Sequence, residues 1–323
     1  MPRSRLPALP LASRPDHQPD AGELTVRALA VILAFAASAA CVSEPTAPIQ
    51  RGQALLFTSD RDGNVEIYTM HADGGDPIRL TRNGAVDFAP QWSPDGRRIL
   101  FISNRAPGVN GSPSYEIFVM NSDGSGVKRV TTNDVLESSP SWSPDGTKIA
   151  YATTGARSKI FVMNADGSNV VQITDNEWAD SLPRWSPDGQ RLAFLGSPLG
   201  WSSIFTVAPD GSDRIRVPTQ PVGGVHSYSW APDSKNIVYE YGEWPYGGIY
   251  RSVSVPTQGV NPVFLVGYER FPSKPVWSPD GQRIALTMSE SGNADIFTMR
   301  ANDGGDRVRI THHAAADLIA DWK

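Results

Sequence analysis

Short apolar, β-branched segments recur along this chain, and each is bounded by turn residues. Arg98–Ile102, Lys148–Ala152, Arg191–Leu195 and Arg283–Thr287 each follow a Pro-Asp-Gly turn. A second set runs Glu66–Met70, Glu116–Met120, Lys159–Met163, Ser203–Val207, Gly248–Ser252 and Asp295–Met299. An Asp-Gly pair follows five of those six, at Asp73, Asp123, Asp166, Asp210 and Asp303. A third set is a β-branched pair near Thr, as in Ile78–Thr81, Val171–Thr174 and Val308–Thr311. Asp-Gly between apolar runs predicts hairpins. In the other turn, Pro fixes φ and Gly can take a positive φ. The chain therefore reads as all-β.

The segments belong to a repeat. Trp-Ser-Pro-Asp-Gly stands at Trp92–Gly96, Trp142–Gly146, Trp185–Gly189 and Trp277–Gly281, with a degenerate copy at Trp230–Ser234. Asp321-Trp322-Lys323 matches where another copy begins. The tryptophans lie 50, 43, 45, 47 and 45 residues apart, the period of a four-stranded propeller blade. The first repeat, Leu55–Thr81, lacks its innermost strand, and the last segment, Asp317–Trp322, has only that strand. Joined, they complete one blade. The expected fold is a six-bladed β-propeller over residues 54–323, closed by N- and C-terminal strands in one blade, which leaves only short, protected edges.

These repeats resemble the WD40-like (PD40) repeats of the TolB family and of propellers in prolyl-oligopeptidase-like enzymes, over about Leu55 to Trp322. The resemblance implies a fold more than a function. It also implies an α/β domain ahead of the propeller. Here a short Pro/Thr/Ser linker, residues 42–53, stands in that place, which argues against a direct TolB role.

Composition and the first residues narrow the setting. The 323-residue chain carries a net charge of -5 and no basic block, which disfavours nucleic acid as a partner. The single cysteine, Cys41, excludes an intrachain disulfide framework. It follows Ala28–Ala40, 13 residues without a charge, too short to span a bilayer and suited to a secretory signal. Ser38-Ala39-Ala40-Cys41 resembles a bacterial lipobox, with Ser38 where Leu is usual. Residues 1–41 read as an export signal, with Cys41 either lipidated as the mature N-terminus or left unmodified after ordinary cleavage. The expected address is the periplasmic face of the cell envelope, through a lipid anchor. The absence of Asp at position 42 hints at the outer membrane.

Function is sought on the loops. The Pro-Asp-Gly and Asp-Gly turns share one uniform rim, and the loops of variable length share the other, where binding usually resides. Six of the nine tryptophans belong to the repeat and are expected between blades. Trp178, Trp201 and Trp244 fall on the variable rim, with Tyr246 on the same side. They form either a binding surface or a set that packs to fix long loops. Five residues before the repeat tryptophan stand Asp87, Glu137, Asp180 and Asp317. These acidic residues at the channel mouth could hold a cation, or each could cap its own loop. His226 lies near the same mouth.

No catalytic set emerges. Gly200-Trp201-Ser202-Ser203 lacks the second glycine of a nucleophile elbow. The histidines show no metal-ligand spacing, and no metal or other cofactor is expected. The leading reading is a non-catalytic envelope module that engages a protein or peptide through the variable rim. The alternative is a glycan-binding or glycan-cleaving propeller working through paired carboxylates.

Overall fold

The computed structural model describes residues 54–111, 114–133, 135–198, 200–219, 224–243, 246–253, 263–267, 273–289 and 293–323. Their regular structure is entirely β, in six sheets of four strands each. Cys41, the signal segment and the linker lie outside the described residues.

Each sheet is an antiparallel meander whose innermost strand ends at a repeat tryptophan. In chain order these strands are Asp87–Trp92, Glu137–Trp142, Asp180–Trp185, Gly224–Trp230, Ser273–Trp277 and Asp317–Trp322. The last belongs to the first blade, where it pairs with Ala54–Ser59 and completes a sheet with Glu66–His71 and Ile78–Arg79. Leu55 lies opposite Trp322 and Ser59 opposite Asp317. Counting this as blade 1, the sheet of Asp87–Trp92 is blade 2, and so on to blade 6. Every innermost strand packs against both neighbouring innermost strands, so the ring is closed.

The ring geometry explains the unbroken apolar runs. A strand inside a propeller has a neighbouring blade on each face, so both alternating sets of side chains are buried. Ala54–Ser59 is buried at all six positions. The six hydrophobic clusters fall one to each junction. Leu56, Ile67 and Leu80 meet Phe101 and Phe118 between blades 1 and 2. Phe57 and Tyr68 meet Ala285 and Ile296 between blades 1 and 6. In blades 1 to 4 an aromatic pair bridges the second and third strands, as in Phe57–Tyr68 at 5.4 Å and Phe101–Phe118 at 5.7 Å between ring centres. Such a pair contributes about 0.5–1.5 kcal/mol beyond its burial.

Two devices key the blades together. The Asp-Gly turns do more than reverse the chain. At Gly124 φ is +85°, and a Cβ there would sit 2.4 Å from the Leu80 carbonyl oxygen of the preceding blade. At Gly74 the same clash would be with Ile310 O at 2.3 Å, across the closing junction. The second device is a bulge in each innermost strand. In four blades the bulged residue takes a left-handed φ directly before a proline: Ala89, Ser139, Leu182 and Lys274, at 50–53°. Each non-glycine residue so placed costs about 1–3 kcal/mol, which the packed ring must offset. Proline suits a bulge because it has no N–H to leave unpaired.

Candidate functional site

Asp87, Glu137, Asp180 and Asp317 open four innermost strands. Their relative exposures are 0%, 2%, 0% and 0%, so they do not present an acidic ring to solvent. Each is engaged within its own surroundings. Arg105 donates to Asp87 at 2.7 Å, and Asn83 does so at 2.6 Å. Arg61 donates to Asp317 at 2.6 Å. Both arginines lie across aromatic rings, Arg61 over Phe57 and Tyr68 and Arg105 over Phe101 and Phe118, at 5.1–5.3 Å from the ring centres. A serine two residues earlier, Ser59 or Ser103, accepts from the arginine Nε. Blades 3 and 4 carry no such arginine against their carboxylate. Glu137 is held by Asn133 at 2.5 Å and Thr131 at 3.0 Å, and Asp180 by Asn176 at 2.6 Å. Burial therefore pushes Glu137 up to about 7, with Glu116 nearby adding to the rise, and raises Asp180 as well. Among the described residues no three His, Cys, Asp or Glu side chains gather as a metal set.

The rim aromatics divide. Trp178 is half-buried. Its indole lies against Gly196, where a Cβ would meet Nε1 at 2.9 Å, and Arg214 stacks 5.8 Å from the ring centre. The Trp178 carbonyl accepts from Lys159 Nζ at 2.6 Å. That arrangement fixes its loop. Trp201 is 52% exposed. Trp244 lies outside the described residues, and Tyr246 begins the third strand of blade 5. The exposed ring of His226 bonds the Gly242 carbonyl through Nε2 at 2.7 Å.

A cavity lies at the other rim, where the Pro-Asp-Gly turns converge on the central channel. Its volume is about 390 Å³, and its wall includes all six repeat tryptophans and the prolines beside them. Around this mouth the turns stack in sequence. An added Cβ at Gly146 would meet Pro94 at 3.7 Å, and one at Gly189 would meet Pro144 at 3.8 Å. Beside Gly96 that place is taken by Lys323, whose Nζ donates to the carbonyls of Ser93, at 2.6 Å, and Pro94.

The residue before each repeat tryptophan decides the polar lining. In blade 1 it is Asp321, whose Oδ2 accepts from the Trp92 N–H at 2.8 Å. In blade 2 it is Gln91, whose Oε1 accepts from the Trp142 N–H at 2.8 Å. Both cap the next blade's innermost strand. In blade 4 it is Arg184, whose side chain has no acceptor atom and instead donates through one terminal nitrogen to the carbonyls of Ser139, Pro140 and Pro183 at 2.9–3.4 Å. Lys274 joins it from the strained bulge of blade 6, and among the described residues its Nζ makes no hydrogen bond. Burial, with Arg184 nearby, depresses the Lys274 amine to about 7, and burial raises Asp321. Sequence reasoning missed Lys274 and named Asp321 only as part of the repeat. The signal was present as variation at a fixed place in the repeat: Gln91, Ser141, Arg184, Ser229, Val276 and Asp321 all precede the tryptophan.

A sequence profile of the TolB β-propeller domain matches residues 40–157 and 135–244, more than half of the chain. The chain belongs to that family. It is 41% identical over 54 residues to the Tol-Pal system protein TolB of Desulfosudis oleivorans, a match covering 17% of this chain and 12% of that protein. The chain thus matches only a small share of the length of such TolB relatives. The solved TolB from Acinetobacter baumannii superposes with a TM-score of 0.70 at 17% identity, over 83% of this chain and 67% of that one. The oligogalacturonate lyase from Vibrio parahaemolyticus superposes with a TM-score of 0.57 at 14% identity, over 81% and 75%. At these identities the structures show a shared TolB-type propeller fold.

Proposed function

We propose that this TolB-type propeller is an exported, non-catalytic binding module of the cell envelope that takes a protein or peptide segment. One observation carries the reading. The central channel opens through a ring of tryptophans and prolines onto charged side chains with unspent hydrogen-bonding atoms. Large aromatics beside desolvated polar groups are the usual make-up of a binding hot spot. Membership in the TolB family, whose relatives include a Tol-Pal system protein, supports an envelope setting. The signal-like segment and Cys41 support export and a lipid anchor on the periplasmic face, in the outer membrane. Incorporation of labelled palmitate that disappears in Cys41→Ser tests the anchor.

The variable rim is a second candidate surface, carried by exposed Trp201, with Trp178, Trp244, Tyr246 and His226 in its neighbourhood along the chain. An affinity pull-down from solubilised envelope separates the two. A partner lost on Lys274→Gln and kept on Trp201→Ala places binding in the channel. The reverse pattern places it on the rim, and no partner with either sinks the reading. The glycan-cleaving alternative, in its paired-carboxylate form, needs two carboxylates in an open pocket. Asp87, Glu137, Asp180 and Asp317 are instead buried against loop amides and arginines. Release of unsaturated sugar from oligogalacturonate by the purified protein would reinstate that alternative.

A further inference from the structure

The charges in the channel do not neutralise one another. Arg184 is pinned to the wall by three backbone carbonyls through one terminal nitrogen, which leaves its other terminal nitrogen and Nε unspent. Lys274 is pinned through its backbone, whose N–H donates to Ser227 Oγ at 2.9 Å, and its ammonium group has no hydrogen-bond acceptor among the described residues. Asp321 gives one oxygen to the Trp92 N–H and keeps the other. Among the described residues no ion pair joins Asp321 to either cation, although all three line the same cavity. The three side chains are half-buried in the channel wall, and charges held there unpaired are completed by a ligand that brings the missing partner.

We propose that the channel is a carboxylate receptor: an acidic side chain or chain end of a bound peptide enters from the tryptophan and proline mouth and bridges Arg184 and Lys274. The inference rests on the peptide-binding reading above and adds the chemistry of the ligand. With Lys274 protonated, two cations face one anion, and the set lacks one negative charge. A planar guanidinium with an unspent N–H pair matches a carboxylate in two-point geometry. A dianion such as phosphate would meet the remaining oxygen of Asp321 as a like charge, which favours the singly charged group. The ring of prolines and tryptophans offers apolar area to the flanking residues, which a small free anion cannot use. A volume of about 390 Å³ accommodates a few residues of extended chain.

The test uses the full chain and three hexapeptides identical except for a central Asp, Asn or Lys, titrated by calorimetry at low salt. The Asp peptide is expected to bind at least about tenfold more tightly than the Asn peptide, and the Lys peptide not at all, as the net positive set requires. Lys274→Gln should weaken the Asp peptide about tenfold and remove most of its salt dependence. Asp321→Asn keeps an acceptor for Trp92 and should tighten the Asp peptide, a gain that misfolding cannot imitate. Equal binding of the Asp and Asn peptides would falsify the carboxylate reading while leaving a peptide-binding channel intact. Preference for the Lys peptide, or no binding of any peptide at millimolar concentration, overturns it also. Binding of oligogalacturonate in place of the peptides overturns both this inference and the peptide reading on which it rests.

Discussion

The two ends of the innermost strands treat charge in opposite ways. At the loop end, Asp87 and Asp317 are buried and each is met by an arginine laid across a pair of aromatic rings. At the tryptophan end, Arg184, Lys274 and Asp321 line one cavity without pairing. The first arrangement knits blades and loops, and the carboxylate oxygens it leaves without a partner, Asp87 Oδ1 and Asp317 Oδ2, are sealed from solvent. The second is half-buried, open to the channel and electrostatically unfinished. A charged cluster indicates binding only when its members have atoms to spare that a ligand can reach. Blades 3 and 4 fall between the two: their carboxylates are buried and held by amides and hydroxyls, without an arginine.

The largest expected break in this comparison is Asp317→Ala. It strands the Arg61 guanidinium, 13% exposed, in the closing blade and should cost about 3 kcal/mol in urea denaturation. Binding through the channel should be unchanged. A loss below about 1 kcal/mol would mean that the pair does not hold the loop end together.

Glu137 sharpens the contrast through pH. Its folded value of about 7 lies above the ordinary value near 4.3. Between those values the folded chain holds the extra proton, so the stability Glu137 contributes is fully present below about pH 4 and is lost as pH rises to 7. Glu137→Gln should therefore be more stable than the parent at pH 7, by on the order of 2 kcal/mol, and indistinguishable at pH 4. Thermal melts across that range would show a gap that widens with pH; a constant gap would refute the linkage.

Trp178 and Trp201 separate packing from display on the variable rim. Trp178→Ala should lower stability by about 1–2 kcal/mol because the indole packs on Gly196 and under Arg214. Trp201→Ala should stay within about 0.5 kcal/mol, as exposed substitutions do. Equal losses in denaturation would mean that Trp201 packs in solution. A small effect is also expected for Lys323→Met, which removes a half-buried donor to Ser93 and Pro94 at the channel mouth. It should cost less than about 1 kcal/mol.

Most of the fold was legible because it repeats. The tryptophan period, the turn chemistry and the mismatched ends specify six blades and their closure without reference to any contact. The binding side was not legible in that way. Loop length and aromatic content drew attention to the variable rim, yet the tight turns at the other rim enclose the cavity. The bulge before the repeat tryptophan is also invisible in the strand pattern. Only the ring shows that Lys274, three residues before Trp277, faces the same space as Arg184, one residue before Trp185.

The sequence by itself determined the local elements and their number, since strand periodicity, Pro-Asp-Gly and Asp-Gly act over a few residues and recur along the chain. The tertiary structure decided which charges are satisfied. Arg61 reaches Asp317 across 256 positions of chain, and Arg184, Lys274 and Asp321 come from three blades to one channel. Burial and pairing depend on what surrounds a charge in three dimensions, and for a closed ring that environment exists only once the last blade has joined the first.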